Sequence, residues 1–82
     1  MFNYLKDKTY FQRNAAIALG NTKNEKYIPD LKAELNNPSE MVRLHTVWAL
    51  GQIPHTRSIL EKHATIEQSS VVLNEIRETL AH

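Results

Sequence analysis

Phe11, Ala15, Ala18 and Leu19 fall at i, i+4, i+7 and i+8, positions that share one face of a helix with 3.6 residues per turn. The same spacing returns at Val42, Thr46, Ala49 and Leu50, and Ala18-Leu19-Gly20 matches Ala49-Leu50-Gly51 directly. A fainter third copy runs from Ser70-Val71-Val72 through Ile76 to Leu80. Between the copies lie shorter amphipathic segments: Ile28, Leu31 and Leu35 at i, i+3 and i+7, with Ile59-Leu60 opening the counterpart one repeat later. Strand-like alternation is absent. The pattern predicts five helices, at about 7–19, 26–36, 38–52, 56–64 and 70–81.

The punctuation fits those bounds. Gly20 and Gly51 stand where a helix C-terminus favours a residue free to adopt positive φ. Asn37-Pro38-Ser39-Glu40 reads as an N-cap, a proline at the first helical position and a glutamate at N3. Pro29 fits the first turn of its helix, where a missing N–H is no loss, and Ser69 or Ser70 is placed to cap the last helix. One helix pair cannot bury its apolar stripe alone, so neighbouring pairs must stack, which is the logic of an all-α solenoid. The expected organisation is one domain over residues 1–82, with repeats at about 7–36 and 38–64 and a partial one at 70–81. Phe2 to Leu5 reads as the tail of a preceding helix, which implies a piece of a longer protein.

Composition narrows the chemistry. The chain of 82 residues has no cysteine, which excludes disulfides, thiolate metal sites, iron–sulfur clusters and a cysteine nucleophile, and fits a reducing cytoplasm. No apolar run approaches membrane-spanning length, and the N-terminus has no signal-peptide core. Residues 1–32 hold six basic and three acidic side chains, a net of +3; residues 33–82 hold four and six, a net of −2. Such scatter is common on ordinary solvated surfaces, and the asymmetry is only a hint of an anionic partner at one end.

The strings Arg13-Asn14-Ala15-Ala16-Ile17-Ala18-Leu19-Gly20-Asn21 and Val42-Arg43-Leu44-His45-Thr46-Val47-Trp48-Ala49-Leu50-Gly51 resemble the C-terminal HEAT-like region of epoxyqueuosine reductase. The resemblance covers essentially the whole chain. It implies a HEAT-like α-α superhelix that serves as the non-catalytic accessory domain of an oxidoreductase. That family completes queuosine synthesis on the wobble nucleotide of certain tRNAs, using cobalamin and two 4Fe–4S clusters. The cluster cysteines, cobalamin pocket and catalytic acid of the family would all lie upstream, so this chain is expected to hold no cofactor and no metal. The partners implied are tRNA and the upstream catalytic domain. The sequence departs from the family at Gln12, where a second arginine is usual, and at Leu44, Thr46 and Val47, which replace smaller residues.

Six residues are candidate RNA contacts: Arg13, Asn14, Lys23, Lys26, Arg43 and His45. Asn14, Ile17 and Asn21 share one helix face, and His45, Trp48 and Gln52 repeat it. Amide, imidazole and indole groups in a row can hydrogen-bond to and stack on single-stranded RNA. The alternative is that Ile17 and Trp48 pack between repeats while Asn14 and His45 bridge neighbouring turns. Arg13 and Arg43 are placed either for phosphate or for a carboxylate across repeats, with Asp30, Glu34 or Glu40 as partner. Lys23 and Lys26 lie near a helix N-terminus, where free backbone N–H groups favour anions. The four histidines show no metal-binding spacing and no triad-like pairing, so catalysis is not expected. A protein–protein adaptor built from HEAT-like repeats remains the other reading.

Overall fold

Two serines set the starts of equivalent helices in successive repeats. Ser39 Oγ accepts a hydrogen bond from the backbone N–H of Val42 at 3.3 Å, and Ser69 Oγ accepts one from Val72 at 3.2 Å. Each thereby satisfies an N–H that the helix itself leaves unpaired. A computed structural model describes residues 4–81. It contains α1 (Tyr4–Thr22), a 3₁₀ turn (Glu25–Tyr27), α2 (Ile28–Glu34), α3 (Glu40–Gln52), α4 (Arg57–Ala64) and α5 (Ser70–Leu80). Among the described residues there is no strand. The all-α repeat read from the periodicity is the fold observed.

The longer helices α1, α3 and α5 stack side by side, α2 packs on α3, and α4 packs on α5. Between these layers lie Leu31, Leu35, Val47, Leu50, Leu60, Val72 and Ile76, none more than 3% exposed. Full burial of one such side chain contributes about 1.5–3 kcal/mol. The stripe predicted on α1 is open at Phe11, Ala15 and Ala18, whereas the whole matching stripe on α3 is core, Val42, Thr46, Ala49 and Leu50 all being 0% exposed. Thr46 is tolerated there because its hydroxyl donates to the carbonyl of Val42 at 2.7 Å.

Three local expectations are corrected. First, neither glycine has positive φ; among the described residues that geometry belongs to Lys23 (φ 53°), just after α1, and His55 (φ 67°), in the turn between α3 and α4. Gly20 and Gly51 sit inside or at the last turns for a different reason, close approach. A Cβ on Gly20 would lie 2.7 Å from Ala49 Cα, and one on Gly51 would collide with Thr79 Cγ2. Second, the N-cap of α3 is Ser39 rather than Asn37. Asn37 instead forms a turn one step earlier, its Oδ1 accepting from Ser39 N–H at 2.8 Å. Third, the predicted helix over 26–36 divides into the 3₁₀ turn and α2, with Pro29 in the first turn of α2 as expected. Tyr4 and Leu5 belong to α1 instead of a separate preceding helix, while Phe2 lies outside the described residues.

Candidate interaction face

On α3 the residues Met41, His45, Trp48 and Gln52, at i, i+4, i+7 and i+11, are all only partly buried, so they form its open stripe. The matching stripe on α1 is Tyr10, Asn14, Ile17 and Asn21. Contacts tie the two stripes together at both ends. At one end the Arg13 guanidinium lies 5.0 Å from the Tyr10 ring centroid, its Nε donates to Asn14 Oδ1 at 3.2 Å, and its Nη1 reaches Met41 Sδ at 4.0 Å. Next to it His45 Nδ1 lies 2.8 Å from the Met41 carbonyl; the carbonyl can only accept, so Nδ1 carries the proton. At the other end Lys23 Nζ donates to Gln52 Oε1 at 3.4 Å. From Met41 to Gln52 the stripe runs about 16 Å, at 1.5 Å per helical residue.

Of the six sequence candidates, Arg13, Asn14 and His45 thus converge, and Lys23 joins the same face at its far end. Lys26 is exposed, its ammonium 5.1 Å from the Tyr27 ring and its backbone N–H donated to Asn24 Oδ1 at 3.0 Å. Lys26 lies in the 3₁₀ turn, not on the N-terminus of a full helix.

Arg43 differs. Its Nε and Nη2 donate to the two carboxylate oxygens of Glu67 at 3.0 and 3.1 Å, and Nη1 donates to the carbonyls of Asn37 at 2.8 Å and Pro38 at 3.2 Å. The cross-repeat carboxylate expected for this arginine is Glu67, not Asp30, Glu34 or Glu40. Glu67 also accepts from Ser69 N–H at 3.0 Å and from His63 Nε2 at 2.8 Å, and its side chain is only 2% exposed. Burial alone would raise the Glu67 carboxyl. The bonds from Arg43, Ser69 and His63, with the charge of Arg43, outweigh it and hold the pKa down at about 2.

Sequence reasoning missed the matching contact one repeat earlier. Gln12, the repeat counterpart of Arg43, accepts from Asn37 Nδ2 at 3.1 Å. Asn37, the counterpart of Glu67, also accepts from Ser39 N–H, just as Glu67 accepts from Ser69. The α1–α3 seam is therefore closed by a neutral amide pair and the α3–α5 seam by an ion pair. The signal was present in the repeat register, in Asn37-Pro38-Ser39 against Glu67-Gln68-Ser69.

The stacking, the seam contacts recurring from one repeat to the next and the capped inter-repeat loops coincide with a sequence match to the family of HEAT repeats over residues 2–81. The chain belongs to the HEAT repeat family. No curated protein and no solved structure matches it significantly. HEAT repeats are helical modules that often mediate interactions and are generally non-catalytic. In this HEAT domain, no helix among the described residues is long and apolar enough to cross a membrane. Nor does any group of three His, Asp or Glu side chains converge there in a way that could hold a metal.

Proposed function

We propose that this HEAT domain is the non-catalytic accessory domain of an epoxyqueuosine-reductase-type enzyme, and that the open face of α1 and α3 contacts the tRNA backbone. One observation carries the reading. Residues 8–24 and 41–60, which include almost all of α3 and most of α1, contain no carboxylate, yet carry Lys8, Arg13, Lys23, Arg43 and Arg57. Arg43 and Arg57 of that set are held by Glu67 and Glu61, and Glu75 and Glu78 border the face beside Trp48 and Gln52. The cations the face offers a polyphosphate are therefore Arg13 and Lys23, and phosphate neutralisation dominates nucleic-acid affinity. Arg13 and Lys23 are its phosphate contacts, with Asn14 and His45 as polar neighbours and Lys26 as a further phosphate contact from the adjoining 3₁₀ turn. Arg43 serves the seam instead. The family's clusters and cobalamin do not fit this chain, which has no cysteine and, among the described residues, no metal-ligating group. On this reading they belong to the catalytic domain, and the setting is cytoplasmic.

A second reading, a protein–protein adaptor, is favoured by the groove between α2 and α4. It is floored by Leu35 and Ile59, and Ile66 on its rim is 65% exposed.

A salt titration with tRNA separates the two. Two to three phosphate contacts give a slope of log K against log salt between about −1.4 and −2.7, at roughly 0.7–0.9 per phosphate. Reversing Arg13, Lys23 and Lys26 to glutamate should flatten that slope and weaken binding to all tRNAs alike, since phosphate contacts carry no sequence information. Unchanged tRNA binding in the triple variant would refute the RNA contact and leave the adaptor reading in first place.

A further inference from the structure

The repeat register assigns an occupant to a surface that is exposed among the described residues. Val42, Thr46 and Ala49 of α3 are 0% exposed, and Gly20 of α1 lies against Ala49. Their counterparts on α5, Val72 and Ile76, are no more than 2% exposed. In both cases the cover is the preceding helix pair: α1 and α2 over α3, α3 and α4 over α5. The equivalent residues of α1 are Phe11, Ala15 and Ala18, and all three are exposed, Phe11 by 75%. Beside them α1 and α2 enclose a groove of about 370 Å³ that reaches Pro29 and Asp30. A large apolar side chain and two alanines at spacing i, i+4, i+7 make a packing surface for a helix, and one this exposed on a small domain marks an interaction site.

We infer that the outward face of α1, with the edge of α2, docks a further helix pair in the HEAT stacking register. The partner is a helical hairpin that brings a small residue against Ala18, as Gly20 does against Ala49, and a basic side chain toward Asp30. The inference rests on repeat geometry and would stand if the tRNA reading failed. In nearest-neighbour terms, the missing interface is worth as much to α1 as the α1–α3 interface is to α3.

The test supplies the hairpin from the chain itself. A second copy of residues 39–68 is joined directly ahead of Lys8, which continues the register because Lys8, Ser39 and Ser69 are equivalent. The extended chain should melt about 5 °C or more above the 82-residue chain. Phe11→Asp should then lower the midpoint of the extended chain by a similar amount, while moving that of the original chain by less than about 2 °C. Equal midpoints for the two chains, or an equal effect of Phe11→Asp in both, would overturn the inference. So would sedimentation showing that the original chain dimerises and that Phe11→Asp abolishes the dimer, since the face would then belong to a second copy.

Discussion

Replacing Glu67 by glutamine removes one charge from the α3–α5 seam and leaves the side chain's size almost unchanged. The amide can still accept from Ser69 N–H or from Arg43, but it cannot supply two anionic acceptors to the Arg43 fork. Arg43, whose side chain is 18% exposed, is then left as a largely buried cation facing only two carbonyls and an amide. The magnitude follows from the titration. Lowering the carboxyl from 4.5 to about 2 corresponds to roughly 3 kcal/mol of folding stability at neutral pH. Breaking buried pairs by removing one partner costs about 3–5 kcal/mol, which agrees. For a domain of 82 residues, with about 4–12 kcal/mol in total at 0.05–0.15 per residue, that is a large share. The sign is fixed because the folded pKa lies below the unfolded one. The contribution is complete above about pH 5 and is lost as pH falls toward 2. Urea denaturation of both proteins should therefore give a difference of about 3 kcal/mol at pH 7, about half that at pH 3 and almost none below pH 2. A Glu67→Gln variant with the wild-type midpoint at pH 7, or a gap that stays constant with pH, would refute the reasoning. Adding Arg43→Gln to Glu67→Asn should recover part of the loss, because it rebuilds the Gln12–Asn37 pair found one repeat earlier.

Three further substitutions test the packing. Gly20→Ala should destabilise by about 1–3 kcal/mol, since its methyl meets the backbone of Ala49, whereas Gly51→Ala should be near neutral, because it meets only the tip of Thr79 and gains helix propensity; thermal melts showing the opposite order would be inconsistent with both contacts. Trp48, partly buried against the core and adjacent to Gly20, should cost about 2–4 kcal/mol when changed to alanine, and a neutral result in urea titrations would mark it as a partner-facing indole.

Helix periodicity was legible wherever the apolar stripe was dense. Phe11 to Leu19 and Val42 to Leu50 announced α1 and α3 through their shared spacing, although the stripe is buried on α3 and open at Phe11, Ala15 and Ala18 on α1. Cap positions were less legible. Asn37, Ser39 and Ser69 are all good cap residues, and only the backbone at Ser39, extended at φ −80° and ψ 122°, selects it as N-cap. The glycines were misread because a single sequence does not reveal the interhelix distance: the same residue serves a left-handed turn or a close approach, and here the left-handed turns fell to Lys23 and His55. In the candidate face, the sequence brought out Arg13, Asn14 and His45 but treated Arg43 as their equal. Its carboxylate lies far downstream in a loop, a separation that helical periodicity does not address.

The unlike seams also give the stack a direction of disassembly. A solenoid comes apart interface by interface, and each joint responds to its own chemistry. Acid protonates Glu67 and removes the ion pair from the joint that holds α5, while the Gln12–Asn37 joint contains no ion pair, Glu34 serving there as a second acceptor for Asn37 Nδ2 at 3.0 Å. Acidification therefore unpeels this domain from the α5 end, with the α1–α3 pairing the last to let go.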